Sequence, residues 1–538
     1  MWSDKCRYTA DETAKVRWEL VRYTRGVGLD LGCGPYKGFP HFIGVDNKRD
    51  KELFGIDFKP DVEANVHNLS MFADEGMDFV YSSHTLEHLD KPLPALQEWW
   101  KKIKVGGHLV LYLPHKKFYP NIGSPNANPD HKHDFMPQDI VNVMKQVGSW
   151  DLLRNEDRNE GDEYSFFQVY KKGPKGSGQK FSYATPKPMG KTAAVVRYGA
   201  WGDGLQAASI LPGLKAQGYR VTFYTTPRCL GAISEDPNVD EWYIQDTDQV
   251  PNGLLSYFWE NEKVKYDKWI NLSESVEGQF LTIEDRAPHR WPHAVRHKHL
   301  NGNYIEFAHE LAEIPYTKPN VKFYPTLEER NKAYDWKKRI GGDPLVVWIL
   351  AGSSVHKVWP HVDNILARFA LEFPKVKIVT MGDEKCRLIE DTKPDPKVPG
   401  ATLDWDRCAH VIKASGRAQI RETLSLAQVA DLVIGPETGV LSAVSMESMA
   451  KVVFLSHSSH ENLTRDWVNT FALFSTKTPC YPCHQLHHTW KHCHESKIIP
   501  GVAECQYDIP PEAAWMAICK ALGKEAKSNI IPLKQVTA

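Results

Sequence analysis

Two glycine-rich turns with different chemistry lie about 170 residues apart in this chain. The first, LDLGCGP, sets Asp30, Gly32, Cys33, Gly34 and Pro35 after an apolar run. Small residues there let a ligand approach the backbone closely. The next apolar run, FIGVD, ends in Asp46, a carboxylate able to accept two ribose hydroxyl protons. A dinucleotide fingerprint would require glycine at position 37, where Lys37 stands. MDFVYSSHTLEHL then brings His84, Glu87 and His88, and later loops add His115, His131, His133 and Asp134. A histidine of near-neutral pKa at such a place can take a hydroxyl proton. Glu87 and His88 can equally be helix-face scaffolding, and His131 and His133 an ordered loop without catalytic work.

The second turn, VRYGAWGDGLQ, has glycines at 199, 202 and 204, a spacing that fits neither a dinucleotide turn nor a P-loop. Asp203 is its distinctive residue. It can serve as a base for an attacking hydroxyl or as the cap of the following helix. Further on, AGSSVHKVWP places Ser353 and Lys357 after a strand, and lysine meets phosphate as a point charge. GPETG sets Glu437, Thr438 and Gly439 at a strand end before a helix, where free backbone N–H groups suit a diphosphate.

Near the C-terminal end, CYPCHQLHHTWKHC and VAEC supply Cys480, Cys483, Cys493 and Cys505. The two-residue gap of the first pair suits a tetrahedral zinc site, with His484, His487, His488, His492 and His494 as competing ligands. Structural zinc, disulfides and free thiols all remain open. A basic stretch, Glu284–His299, carries Arg286, Arg290, Arg296 and Lys298 among four histidines. Pro288 and Pro292 argue against one regular helix, and the stretch reads as a mobile loop suited to an anionic acceptor, or as a merely solvated one.

These residues need strands to carry them. Short apolar runs alternate with helical patterns such as LPALQEWWKKI and MPQDIVNVMKQVG, which implies an α/β class with mostly parallel sheets. The expected division is 1–172 for a first Rossmann-like domain, 173–190 for a Gly/Ser/Pro/Lys-rich linker, 191–341 and 342–525 for a pair of open-sheet domains, and 526–538 for a tail. At 538 residues the chain is too long for one core. Net charge of -1 speaks against a nucleic-acid partner. No apolar run is long enough to span a membrane, the N-terminal residues are polar, and ten cysteines do not resemble a disulfide scaffold, so a cytoplasmic location is expected. Oligomeric state is not legible.

LDLGCGP, GVD, MDFVYSSHTLEHL and KVGGHLVLYLP together resemble a class I S-adenosylmethionine-dependent methyltransferase of type 11, over most of Arg22–Lys171. The resemblance implies that Asp30, Gly32, Cys33 and Gly34 line the methionine side, Asp46 holds the ribose, and His84 sits by the sulfonium. Asn68 stands in the adenine loop, where such domains often carry an acidic residue. DPNVDEW, YDKWINL, SGRAQIRETLSLAQVADLVIG and the cysteine cluster resemble the heptosyltransferases of glycosyltransferase family 9, with GT-B architecture, over Ala193–Ala521. That implies Asp203 as base, Lys357 on phosphate, and Ser353 and Glu437–Gly439 around a nucleotide-sugar donor of the ADP-heptose type. Glu437 replaces a usual Asp, and Ser442 a usual His. The combined expectation is a bifunctional enzyme acting on a glycan or other small polar acceptor. The alternatives are a nucleic-acid base hypermodification enzyme and a binding scaffold with one inactive domain.

Overall fold

The computed structural model describes residues 11–47, 58–183, 190–317, 319–395 and 401–525. The chain divides into two compact units, Met1–Met189 with Ile244–Lys265, and Gly190–Tyr243 with Tyr266–Ala538.

The first unit is built on one eight-stranded sheet. Its strands are β1 (Gly28–Leu31), β2 (Ile43–Asp46), β3 (Val62–Glu63), β4 (Met77–Ser83), β5 (Ile103–Pro114), β6 (Trp150–Arg158), β7 (Ser165–Lys172) and β8 (Gln179–Phe181), in spatial order 3-2-1-4-5-7-6-8. β1 to β5 pair in parallel, and β7 runs antiparallel to both β5 and β6. β1 is buried at every residue, as a strand covered on both faces must be. The helix Pro92–Lys102 covers one face by sinking Leu96, Trp99 and Trp100. Trp99 satisfies its indole N–H on the Val66 carbonyl. β6 and β8 were not expected. β8 lies inside the 173–190 stretch read as linker, and residues 184–189 of that stretch lie outside the described residues.

Ile244–Lys265 belongs to this unit although the strands flanking it belong to the other. Gln249 donates to the Val21 carbonyl, and Asp246 accepts from Gly26 N–H and pairs with Arg25 at 3.0 Å. Phe258, fully buried, meets Trp18.

The second unit has two sheets. The four-stranded one consists of β9 (Lys191–Val196), β10 (Tyr219–Thr225), β11 (Glu241–Ile244) and β12 (Lys268–Asn271), in order 11-10-9-12. The six-stranded one consists of β13 (Leu345–Ile349), β14 (Lys377–Met381), β15 (Val411–Lys413), β16 (Leu432–Pro436), β17 (Ala450–Phe454) and β18 (Thr470–Leu473), in order 15-14-13-16-17-18, all parallel. The helices Tyr304–Ala312 and Leu327–Ile340 join them. The latter opens with a reciprocal cap, Glu329 N–H donating to Thr326 Oγ1 and Thr326 N–H to Glu329 Oε2. Arg421 grips the same Glu329 with two nitrogens.

In each sheet the strand order reverses beside one strand: β1, β9 and β13. Open parallel sheets bind ligands beyond the carboxyl ends of strands at such reversals. The two glycine-rich turns and the AGSSVHK segment follow these three strands.

Candidate active sites

In the first unit the carboxyl ends of β1, β2 and β4 gather most of the expected residues. Gly32 adopts φ +70, and a side chain there would run into Thr85. Asp30 is buried, and its Oδ2 accepts from Gly38 N–H at 2.9 Å. Burial, with Asp46 nearby, pushes its carboxyl up to about 7. Asp46 accepts from Gly34 N–H at 3.0 Å, tying β2 to the glycine turn. Cys33 is buried, and burial raises its thiol. Asn68 is exposed and caps its own turn by accepting from Ser70 N–H.

His84 has the left-handed backbone φ of 48, and its Nε2 lies 2.9 Å from Ser165 Oγ. It is not poised near neutrality as the sequence suggested. Burial lowers it to about 4, so the ring is neutral. Glu87, His88 and His131 come together beside it. His115 and His133 take other roles. His115 stacks on Phe118, and His133 on Phe135.

In the second unit a cleft of about 480 Å³ is lined by both sheets' strand ends. Asp203, Ser353, Lys357, Glu437, Thr438 and Gly439 all border it. Asp203 lies in the first turn of the helix Trp201–Ala208, and its Oδ2 accepts from Ala200 N–H at 2.7 Å. Its other oxygen pairs with Arg197 at 2.8 Å. Arg197 is buried and also grips Glu277 with both terminal nitrogens. Burial opposes the charge on Arg197, but the Asp203 and Glu277 carboxylates more than offset it. Asp203 therefore combines both readings of the sequence, cap and cleft carboxylate, and gains Arg197 as a cationic partner. Arg197 had a signal, a charge directly after an apolar strand; Glu277, 80 residues away, had none.

Across the cleft, burial lowers Lys357 while Glu437 and Asp203 oppose that shift. Thr438 Oγ1 is buried without a hydrogen-bond partner at the head of the helix Gly439–Ala443. Glu437 turns its carboxylate onto the 456–458 loop, accepting from the backbone N–H groups of Ser456, His457 and Ser458 and from Ser456 Oγ. His457 Nδ1 lies 2.8 Å from it. Burial alone would raise this carboxyl, but His457, Lys357 and these donors hold it well below the usual range. The two halves of the cleft meet at glycines, since a Cβ on Gly439 would lie 2.9 Å from Gly202 N.

The four cysteines line one smaller cavity, of about 120 Å³, together with His356 and His487. Among the described residues no two cysteines are joined in a disulfide. Burial raises Cys480, Cys483 and Cys505, and pushes Cys493 up to about 12. Cys483 Sγ lies 4.0 Å from His487 Nε2, and His356, His487 and Cys493 present donor atoms within 4.8 Å of one another. This sulfur and imidazole donor set fits a soft divalent cation. His356 was not singled out by the sequence. The basic stretch is ordered against this cavity rather than being a mobile loop: a 3-10 turn, Ala287–Arg290, precedes the helix His293–Leu300. Arg296 is buried and donates to the Cys483 carbonyl, and His297 Nδ1 lies 2.9 Å from His484 Nε2.

Residues 29–111 match a family model described as a methyltransferase domain. Among solved structures the chain is similar to the E. coli ADP-heptose LPS heptosyltransferase II, at 14% identity over 61% of this chain and 98% of that one, with a TM-score of 0.42. It is also similar to a family 9 glycosyl transferase from Veillonella parvula, at 15% identity over 53% and 85%, TM-score 0.39. A SAM-dependent methyltransferase from Aquifex aeolicus is similar at 15% identity over 30% and 88%, TM-score 0.23. No curated protein gives a significant match. No helix among the described residues is long and apolar enough to cross a membrane. Toward its N-terminal end the chain thus carries a match to a methyltransferase domain, over residues 29–111.

Proposed function

We propose that the chain is a bifunctional glycan-modifying enzyme, with methyl transfer from S-adenosylmethionine in the first unit and inverting sugar transfer from a nucleotide sugar in the second. The observation that carries the reading is the cleft of the second unit, where a carboxylate and a buried lysine border one space from different sheets. In this reading Asp203 accepts the proton of the attacking hydroxyl, and Arg197 fixes the carboxylate's direction. Lys357, Thr438 and the Gly439 N–H meet the departing diphosphate. Thr438 Oγ1, buried and unpartnered, is available for such a contact.

In the first unit Asp46 holds the ribose of the methyl donor, with Asp30, Gly32, Cys33 and Gly34 around its amino-acid end and Asn68 on the adenine side. S-adenosylmethionine supplies the electrophilic methyl group. His84, neutral and hydrogen-bonded to Ser165, lies on the acceptor side. A donor of the ADP-heptose type, a zinc-class ion in the cysteine cavity, a domain division near 172, 190, 341 and 525, and a cytoplasmic location complete the reading.

The decisive experiment incubates the purified chain with methyl-labelled S-adenosylmethionine and, separately, with a panel of labelled nucleotide sugars in a crude glycan extract. Transfer of both labels is expected. Absence of sugar transfer from every donor, with methyl transfer intact, would favour a scaffold role for the second unit.

A further inference from the structure

The sequence left Glu87 and His88 as helix-face scaffolding or as part of a site with a histidine base, and His131 as such a base or an ordered loop without catalytic work. Glu87 is fully buried, and neither of its carboxylate oxygens has a hydrogen-bond partner. Yet three imidazole nitrogens surround its Oε1: His84 Nδ1 and His88 Nε2 at 3.8 Å, and His131 Nε2 at 3.9 Å. These separations are too long for hydrogen bonds. They match the spacing of two donors on one ion, since metal–ligand bonds of about 2.0–2.2 Å put neighbouring donors roughly 3–4 Å apart.

The orientation of His88 strengthens this point. Its Nδ1 lies 3.0 Å from the Asp130 carboxylate and 3.2 Å from the Asp130 carbonyl, both of which only accept. Nδ1 therefore donates there, and the ring turns its other nitrogen, Nε2, toward Glu87 as a ligating imidazole would. A carboxylate that receives the outer N–H of a ligating imidazole is also the usual way of fixing such a ligand.

The place is built rather than incidental. Glu87 and His88 sit on the 3-10 turn Leu86–His88, just past β4. The loop carrying His131 is pinned to that turn, because Lys132 N–H and His133 N–H both donate to the Glu87 carbonyl. Tyr119 stacks on His131, holding its ring.

We propose that Glu87, His88 and His131 form a binding site for a divalent transition-metal ion of the zinc or manganese class, with His84 at its margin. Two imidazoles and one carboxylate leave coordination positions open, and His88 is the partly exposed member of the three. A metal ion held there acidifies a bound hydroxyl. In the methyl-transfer reading, on which this last role alone rests, that hydroxyl belongs to the acceptor, and an acceptor with two adjacent hydroxyls could chelate the ion.

The test uses the full chain, stripped with a chelator and titrated with Co²⁺ while absorption is recorded. Thiolate ligands in the cysteine cavity give an intense sulfur-to-cobalt charge-transfer band. A nitrogen and oxygen site gives only weak visible bands. The expected result is a cobalt equivalent without the sulfur band that Glu87→Gln and His88→Ala each weaken by about 100-fold. Asp130→Asn should weaken it by about 10-fold to 100-fold, as an outer partner does. His88 is half-buried, so His88→Ala keeps the test alive if Glu87→Gln fails to fold, with circular dichroism as the check. Cobalt uptake with only the sulfur band, or uptake unchanged in these variants, would overturn the site. Calorimetry of S-adenosylmethionine on the wild-type chain separates the two readings: no binding there would remove the methyl-transfer role and leave the cobalt result standing.

Discussion

Arg197 and Asp203 are paired at 2.8 Å, one at the end of β9 and the other in the first turn of the helix that follows. The pair fixes a carboxylate at the edge of the cleft while its second oxygen closes the helix cap. Asp203→Asn separates these roles. Asn still accepts from Ala200 N–H and caps about as well as Asp. Sugar transfer should fall about 100-fold, the contribution of a positioned base. Donor affinity should barely move. Wild-type transfer rates in this variant would reduce Asp203 to a cap.

Asp46 offers a graded test of the methyl-donor site. Asp46→Ala removes the acceptor for Gly34 N–H together with the proposed ribose contacts, and should weaken S-adenosylmethionine binding by about 1–3 kcal/mol. Asp46→Asn keeps one carbonyl oxygen and should lose less. Titration calorimetry on both variants checks the order; equal affinity for wild type and Asp46→Ala would move the ribose elsewhere.

Asp30 gives the first unit a pH dependence. Its folded-state pKa, about 7, lies above the ordinary aspartate value because of burial. Between pH 4 and pH 7 the folded chain holds a proton there that the unfolded chain has released. Its contribution to stability is therefore present in acid and lost as pH rises through about 7. Asp30→Asn should raise the melting temperature of this unit at pH 8 by several degrees, an effect of about 2–4 kcal/mol. At pH 4 it should change little. Calorimetric scans at the two pH values decide it, and a variant equally destabilised at both would show that Asp30 is charged throughout.

The cysteine cavity predicts a bound ion and its consequence for folding. Metal analysis should find about one equivalent per chain attributable to it. Chelation should lower the melting temperature, because the ion ties the loop carrying Cys480, Cys483 and Cys493 to Cys505 on the helix Glu504–Tyr507. Uptake should release protons, since burial holds these thiols protonated. Cys505→Ser should abolish both effects. A metal-free chain with undiminished stability would leave the cavity as packed thiols.

Gly439→Ala probes the meeting of the two cleft halves. The added methyl would crowd Gly202 N and Trp201 Cβ, so the backbones must part. A loss of about 1–3 kcal/mol is expected from such overpacking, with sugar transfer reduced. Denaturant melts and transfer rates measure the two effects; an unaffected variant would mean the halves already separate freely.

The strand ends were legible because they break a buried apolar run with glycine and carboxylate. GLDLG, FIGVD and VIGPETG each announce a site by local chemistry alone. β6 was not legible: WDLLRNEDR carries too many charges to read as a strand, and only pairing with β7 makes it one. Contacts made by distant parts of the chain were equally hidden. Glu277 reaches Arg197 with no pattern near it, and His356 reaches the cysteine cavity from a motif that pointed only to Ser353 and Lys357. Glu437 read as a donor contact because it sits in a promising turn, whereas its carboxylate is taken up by amides 19 to 21 residues later. The Glu87 cluster was visible as residues but not as geometry, since His131 comes from a loop 43 positions downstream of His88.

The excursion Ile244–Lys265 makes the backbone pass between the units three times rather than once. A protease that nicks the 173–190 stretch therefore severs only one of three crossings. Both fragments would still co-purify, because the excursion, carried on the C-terminal fragment, packs with Val21, Gly26 and Trp18 of the N-terminal one. Truncations that end or begin at that stretch deprive the first unit of Phe258 and leave the second with a segment whose buried Phe258 has lost Trp18. Any dissection into separately expressed units needs all three crossings cut and a re-joined loop between β11 and β12.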